Sequence, residues 1–312
     1  MIAYVIRRLL YCIPIVFGVL VVTFLLFNVI RGDVSMEYAG KNATPETIEE
    51  IREELGLNKP VILAWDSQFT HHLKQTLTFS ARARDRELVI DKIKRGVPYS
   101  LAISVPVFFL LVTIGVSLAL IVAFIRGTIG DFAIVIACII GMSIPYLSYI
   151  LFGQYFLAYK GNFGFPVFYQ PYMSLAQSVI LPIIIGVAAR LGFQLRFYRT
   201  VMLDEMRADY VRTAFSKGLG TKTVLFKHVL KNALIPVITN VVLTIPYLIL
   251  GSFLLERFFG IPGLGYLMLD AIGSRDFEVI NALTFMVAIL YVVFNVLTDV
   301  CYALVDPRVK LE

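Results

Sequence analysis

Charged residues are scarce in this sequence: they make up 16% of its 312 residues, whereas hydrophobic residues make up 58%. A soluble globular protein usually has about 25% charged and about 45–50% apolar residues. Water would not tolerate so much apolar surface, and a disordered chain needs the opposite composition. The composition therefore excludes an ordinary soluble enzyme and a disordered chain. It predicts a membrane protein, built as one polytopic bundle or at most two small domains.

Cysteine and histidine are also rare, with three residues of each. Cys12, Cys138 and Cys301 lie far apart, each inside an apolar run, which is typical of small core side chains and not of a disulfide or a metal site. His71 and His72 are adjacent, but no cysteine lies near them. A metal site is therefore not expected.

Two further absences concern ATP hydrolysis and ion translocation. No segment has the G-x-x-x-x-G-K-[ST] pattern of a phosphate-binding loop, so we do not expect this chain to hydrolyse ATP. The apolar runs contain no acidic residue in their interiors, although ion-driven transporters often have one there. Asp299 and Arg190 come nearest. We expect an end-of-helix role for Asp299, and we expect Arg190 to face the bundle or to extend toward water.

Six uncharged runs are long enough to cross a membrane, because a span needs about 20 apolar residues. They cover residues 9–30, 96–125, 132–159, 161–189, 232–255 and 279–298. The fourth run divides into a loop rich in glycine, proline and aromatics, up to about Tyr172, and a helix that must continue past Arg190. The first run is long for a signal peptide and no A-x-A cleavage site follows it, so we interpret it as a retained anchor.

Basic residues predict the orientation of the six spans. Those on one side are Arg7, Arg8, Arg126, the nine basic residues from Arg190 to Lys231, Arg308 and Lys310. Because basic residues are enriched in cytoplasmic loops, this side is expected to be cytoplasmic. Six spans then place both termini there.

Residues 31–95 are expected to form an external region with structure of its own. Residues 44–46, Thr-Pro-Glu, are typical of a helix start, and Gly56 is typical of a helix end. A second amphipathic stretch covers residues 87–95, and a short helix is predicted for residues 264–272 near the same face. Two interpretations of the external region stay open: a cap that packs on the bundle, or a docking surface for an external partner.

The segment 196–236 carries the most specific pattern. We expect an amphipathic helix that continues from the fourth span through Val211, a glycine turn at 218–220, and a new helix capped by Thr221 that leads into the fifth span. Small residues beside a glycine turn allow another surface to approach the backbone closely. The alternative is a solvated basic loop that only sets the topology.

Several motifs in this order resemble the permeases of ABC importers. The motifs Asp209-Tyr210-Val211-Arg212-Thr213-Ala214, Lys217-Gly218-Leu219 and Asn232-Ala233-Leu234-Ile235-Pro236 resemble the coupling (EAA) loop, in the version of the peptide and nickel branch. Residues 4–10, 44–57, 259–265, 275–277 and 306–308 resemble the N-terminus, the external helix, the last external loop and the C-terminal ending of that branch. The long region 31–95 is similar to that of the B-type permease of oligopeptide and dipeptide importers. The resemblance covers essentially the whole chain.

The resemblance implies an all-α membrane protein with six transmembrane helices, in the type I ABC-importer permease fold, with cytoplasmic coupling helices and a structured external loop. Residues 1–30 would contain the N-terminus and first transmembrane helix, and 31–95 the extracytoplasmic loop region. Residues 96–305 would form the core permease domain, with the coupling loop at about 198–235, and 306–312 the cytoplasmic tail. The chain would be a multi-pass protein of the bacterial inner (plasma) membrane.

The implied function is half of a translocation pathway for di- or oligopeptides. The implied partners are a second homologous permease, two cytoplasmic ATPase subunits, an extracytoplasmic substrate-binding protein and membrane lipid, with no nucleic acid. The chain itself would have no catalytic residue, metal or cofactor, because ATP and Mg²⁺ would be used by the ATPases. ATPase coupling is implied for Asp209, Tyr210, Val211, Arg212, Thr213, Ala214, Ser216, Lys217, Gly218, Leu219 and Gly220.

Alternatives remain at this point. The external region carries Arg31-Gly32-Asp33 where relatives often have Pro-Gly-Asp, so nickel or another small solute is the second substrate class. A stand-alone secondary transporter or channel would act without an ATPase. A membrane enzyme would need clustered titratable groups. His71 and His72 with Asp66 are the only adjacent candidates, and a solvated loop is the favoured interpretation of them.

Overall fold

The computed structural model describes residues 2–30, 32–33, 35–40, 43–54, 56–61, 65–161, 163–245 and 253–305. The helices of this part are α1 (Ile2–Phe24), α2 (Ser35–Ala39), α3 (Pro45–Glu54), α4 (Gln68–Thr78), α5 (Val89–Phe124), α6 (Ile129–Ser143), α7 (Tyr146–Gly153), α8 (Leu175–Met206), α9 (Asp209–Ser216), α10 (Thr221–Thr223), α11 (Leu230–Thr244), α12 (Phe253–Phe259), α13 (Leu264–Ser274) and α14 (Phe277–Val305). The π-helical segments Leu25–Val29, Gln154–Lys160 and Val224–Val229 continue α1, α7 and α10. An isolated bridge joins Arg82 to Leu88. The predicted all-α class is confirmed for the described residues.

Within the described residues, four helices are long and apolar enough to cross a membrane: Leu10–Val29, Val89–Phe124, Leu175–Met206 and Phe277–Leu297. They match the first, second, fourth and sixth predicted runs. The third run corresponds to α6 and α7 with the following π segment, which make a fifth candidate if the bent pair is one span. The fifth run contains α11 and the start of α12, and residues 246–252 between them lie outside the described residues. The count of six therefore stays a prediction.

The third predicted run does not form one uninterrupted helix. The helix breaks between α6 and α7, whose axes are bent by 93°. Ile144 is extended, with φ −81° and ψ 125°, because a following proline disfavours the helical conformation. Pro145 then begins α7 as its N-cap residue. The Tyr149 hydroxyl donates to the carbonyl oxygen of Gly141 at 2.9 Å across the bend and satisfies a group that the break releases.

The chain divides into two compact units. The first contains Met1–Val97 and Leu267–Val296, and the second contains Pro98–Tyr266 and the segment from residue 297. The first unit therefore combines the predicted external region with α1 and most of α14. The second contains α6 to α12 and most of α5.

The predicted external helix is present in the first unit as α3. It begins at Pro45, where the Thr44 hydroxyl accepts a backbone N–H of the first turn at 3.3 Å, and Gly56 follows it at φ +69°. The sequence did not predict α4, which begins with a reciprocal cap by Ser67. The second amphipathic stretch, 87–95, is not a separate element, because α5 begins at Val89 and continues without a break as the second span.

Helix α4 packs against α1 through three rings. The Phe24 ring centroid lies 5.2 Å from that of Phe69 and 5.5 Å from that of His72, and the Thr23 hydroxyl lies 3.4 Å from Nε2 of His72. Burial lowers the pKa of His72 to about 4. The expected solvated loop at His71 and His72 is therefore wrong for His72, which is a neutral, buried packing residue.

The second unit contains two hydrophobic clusters, and α8 contributes to both. Leu181 and Ile185 of α8 belong to one cluster, while Tyr198 and Met202 belong to the other, which also contains residues of α9. Ser174 caps the start of α8. As predicted, the helix continues past residue 190, and its 32 residues give it a length of about 48 Å. One continuous helix therefore extends through both clusters.

Candidate functional site

The predicted coupling residues begin where α8 ends. The chain leaves α8 after Met206, and Ala208 is extended, with φ −66° and ψ 148°. The expected helix running without interruption through Val211 is therefore wrong: α9 is a separate helix that starts at Asp209. Because Asp209 lies in the first turn of α9, its carboxylate faces the positive end of the helix dipole.

The end of α9 is a tight glycine turn. Gly218 has φ +80°, which L-residues other than glycine rarely adopt. Its N–H donates to the carbonyl of Phe215 at 2.9 Å, and the N–H of Leu219 donates to the carbonyl of Ala214 at 3.3 Å. These two bonds form a Schellman motif, which satisfies the last carbonyls of α9. The turn lies at the position that the sequence predicted.

One face of α9 is attached to the chain's own core. Val211 and Ala214 are 1% and 5% exposed and pack in the cluster that contains Met202, Val224 and Leu225. Two of the predicted coupling residues therefore do not face outward. The small side chain of Ala214 allows α9 to approach its own neighbouring helices closely.

The remaining surface of α9 and its turn is exposed to solvent. Its exposed residues are Asp209, Arg212, Thr213, Phe215, Ser216, Lys217, Gly218, Leu219 and Gly220. Arg212 and Asp209 form an exposed ion pair at 3.6 Å. Phe215 and Leu219 are 43% and 36% exposed, so two apolar side chains stand among polar ones. This mixture is typical of a protein-binding surface.

Phe215 is absent from the predicted set of coupling residues. The spacing of residues along the helix could have identified Phe215 from the sequence. At about 100° per residue, residue 215 lies about 70° from the midpoint between the buried residues Val211 and Ala214, which is the border of the buried face. A large apolar residue at the border of the buried face of an amphipathic helix is a candidate for a contact outside the chain.

Tyr210 attaches α9 to the end of α8. Its hydroxyl donates to Oε2 of Glu205 at 2.5 Å. Burial, and then the hydrogen bond to Glu205, raise the pKa of Tyr210 to about 12. The hydroxyl is therefore a stable donor at all physiological pH values. Tyr210 has a positioning role toward α8 in this geometry.

The helix after the turn differs slightly from the prediction. Gly220, extended at φ −67° and ψ 150°, is the N-cap residue, and no side chain caps this helix. Thr221, the expected cap, is instead its first helical residue. Lys217 and Lys222 are exposed on either side of the turn, so the surface around α9 carries positive charge.

The titratable residues considered for other functions do not cluster. Among the described residues, no group of three or more His, Cys, Asp or Glu side chains could hold a metal ion. Asp66 pairs with Lys59 at 2.6 Å. The guanidinium of Arg190 lies 5.7 Å from the ring centroid of Tyr146. The side chains of Asp299 and Cys301, and the motif at 306–308, lie outside the described part of the chain.

Comparison with known proteins identifies the family. The model of the binding-protein-dependent transport system inner membrane component matches residues 115–311, and the model of the N-terminal region of such membrane components matches residues 1–84. A probable peptide ABC transporter permease protein of Sinorhizobium fredii is 35% identical over 98% of this chain and 99% of the relative. A putative peptide transport system permease protein of Brucella abortus is 32% identical over the whole of both chains. The oligopeptide transport system permease protein AppB of Bacillus subtilis is 32% identical over 99% of this chain and all of the relative. The chain therefore belongs to the family of inner membrane components of binding-protein-dependent transport systems.

Proposed function

We propose that this chain is one of two permease subunits of an ATP-driven peptide importer. Family membership supplies the transport function, and the names of the relatives supply peptides as the substrate class. The observation that carries the coupling part of the proposal is α9. This helix is attached to its own chain on one face and presents Phe215 and Leu219 among polar groups on the other.

The proposed partners are a second, homologous permease, two ATPase subunits and an extracytoplasmic binding protein that delivers the peptide. ATP and Mg²⁺ bind to the ATPases, and this chain binds neither cofactor nor metal. Six spans place both termini and α9 in the cytoplasm, in agreement with the excess of basic residues from 190 to 231. The fifth span is proposed from the sequence alone, as the uncharged run 232–255.

The proposed contact is an insertion of α9 into a cleft of the ATPase. Phe215 and Leu219 lose their exposure to water there, and full burial of such a side chain contributes about 1.5–3 kcal/mol. Asp209, Arg212 and Lys217 form the polar rim of the contact. Because Val211, Ala214 and Tyr210 attach α9 to its own unit, a displacement of α9 by the ATPase is transmitted to α8. The contact transmits work if the two nucleotide states of the ATPase favour different positions of α9.

The test begins with purification of the tagged chain, expressed together with its partners, in mild detergent. The complex is reconstituted in vesicles, peptic casein peptides are supplied with the binding protein, and lumenal peptides are identified by mass spectrometry. We expect uptake that requires ATP and the binding protein. Transport by the chain alone without ATP would contradict the proposal, and uptake of Ni²⁺ in place of peptides would reassign the substrate.

A matched pair of variants tests the contact. Phe215→Asp should remove the ATPases from the purified complex while leaving membrane insertion intact, because the side chain is exposed in the chain itself. Phe163→Asp is the control, since Phe163 is 66% exposed and lies on the opposite side of the membrane in the proposed topology. Loss of the ATPases in the control alone would indicate the inverse orientation.

A further inference from the structure

An ion pair between a buried aspartate and a partly exposed arginine joins the start of α6 to α8. Both carboxylate oxygens of Asp131 accept from Arg199: Nε donates to Oδ1 at 2.9 Å and Nη2 donates to Oδ2 at 2.9 Å. The backbone N–H of Gly127 also donates to Oδ2, at 3.1 Å. Asp131 is 4% exposed. Such a two-pronged contact fixes orientation as well as distance, and a single buried charge without its partner would be strongly unfavourable.

The position of the pair along α8 matters more than its burial. Arg199 lies seven residues before Met206, where α8 ends, which corresponds to about 10 Å of helix. The Tyr210 hydroxyl bond to Glu205 attaches α9 at that end. The pair is therefore the first charged contact between α8 and α6 on the way from α9 toward the bent span.

The two helices also approach closely further along. A Cβ atom at Gly192 of α8 would lie 3.0 Å from the carbonyl oxygen of Cys138 in α6, so the backbones are in close contact there. Beyond the bend, a Cβ at Gly153 of α7 would meet the side chain of Ile185 of α8. These apolar contacts carry no directional bond, because the hydrophobic effect is non-directional. The ion pair adds a contact of fixed direction between α6 and α8.

We infer that Asp131 and Arg199 are positioning residues for coupling: they make α6 and the bent span move together with α8 when the ATPase displaces α9. This inference rests on the proposed function. Without the pair, α8 moves while α6 lags behind it, and ATP hydrolysis proceeds with little peptide movement. A purely structural pair would instead lower ATP hydrolysis and transport together.

The experiment uses the reconstituted complex and measures two rates per assembled complex: ATP hydrolysis and uptake of peptic casein peptides. Arg199→Gln is compared with Arg196→Gln, which removes the same charge from the same helix. Arg196 is exposed and, among the described residues, forms no ion pair. We expect Arg199→Gln to lower the number of peptides transported per ATP by about 5-fold to 150-fold, the usual range of coupling between sites, and Arg196→Gln to leave it unchanged.

A second set of variants covers the case in which Arg199→Gln does not assemble. Arg199→Lys retains the charge but loses the two-pronged geometry, and it should lower the same ratio by a smaller factor. Asp131→Asn combined with Arg199→Gln removes both charges and allows the two amides to pair. This double variant should recover more coupling than the product of the single effects predicts.

The inference is overturned if hydrolysis and uptake fall in equal proportion in Arg199→Lys and in the double variant. It is also overturned if Arg199→Gln behaves as Arg196→Gln does. These outcomes differ from a failure of the proposed function, in which the unmodified complex itself would show no ATP-dependent uptake.

Discussion

Replacement of Gly218 by valine isolates the conformation of the coupling turn from its packing. Gly218 has φ +80°, and a Cβ atom there would have nothing within 4 Å. No steric clash with the rest of the chain contributes, so the cost is conformational. A left-handed backbone costs an L-residue roughly 1–2 kcal/mol, and a β-branched side chain lies at the upper end of that range. We therefore expect Gly218→Val to disfavour the turn by about 2 kcal/mol.

This strain predicts a change in ATPase affinity. If docking requires the native turn, the apparent dissociation constant increases by the factor by which that conformation is depopulated, roughly 30-fold for about 2 kcal/mol. The assay titrates purified ATPase onto the permease pair in nanodiscs. Gly220→Val is the matched control, because Gly220 also has nothing within 4 Å of a Cβ but has φ −67°, which valine adopts without strain.

The comparison of the two glycine variants decides the result. Asn adopts the left-handed conformation more easily than valine, so Gly218→Asn should retain most of the affinity. Equal affinity of the Gly218→Val and Gly220→Val complexes would refute the assignment of the left-handed turn to the docked state. If the Gly220→Val complex binds the ATPase more weakly than the Gly218→Val complex does, side-chain bulk and not backbone conformation decides docking.

Two further predictions concern the first unit. His72 has a pKa of about 4 in the folded chain against an ordinary value of 6.5, so its contribution to stability is complete above pH 6.5 and is lost as the pH falls toward 4. The loss is about 3 kcal/mol, and a melting temperature of the complex that does not fall over this interval would contradict the burial of a neutral His72. Asp33→Asn removes the charge that accepts from Arg52 Nε at 3.0 Å. Because this pair is exposed, melting should change little and the ATPases should stay attached; their loss would point to the inverse orientation.

Features that depend on a few neighbouring residues could be predicted from the sequence. The start of α3 follows from a hydroxyl before a proline, and the end of α9 follows from a glycine that tolerates positive φ. The continuation of α8 past Arg190 follows from its length and period. Each rule acts within one or two turns of helix, so no knowledge of the tertiary structure is needed.

The bend in the third span could not be predicted by the same rules. Prolines also occur inside continuous helices, at positions 14, 98, 106, 182 and 236. Pro145, in contrast, coincides with a break between two helices. Which proline bends its helix depends on packing, and packing follows from contacts between residues distant in sequence.

The two parts of the proposed coupling apparatus differ in the same way, because one depends on neighbouring residues and the other on residues distant in sequence. The contact surface on α9 is local, and its motifs can be recognised in the sequence without any structure. The Asp131–Arg199 pair joins residues 68 positions apart, and each residue alone looks like an ordinary charge near a span end. A docking helix that only bound the ATPase would need the first part alone. Transmission of movement into the membrane needs the second, because a displacement of α9 produces work only if contacts of fixed direction carry it to the neighbouring span. Variants of the pair should therefore affect coupling while leaving ATPase attachment intact, whereas variants of Phe215 should affect attachment first.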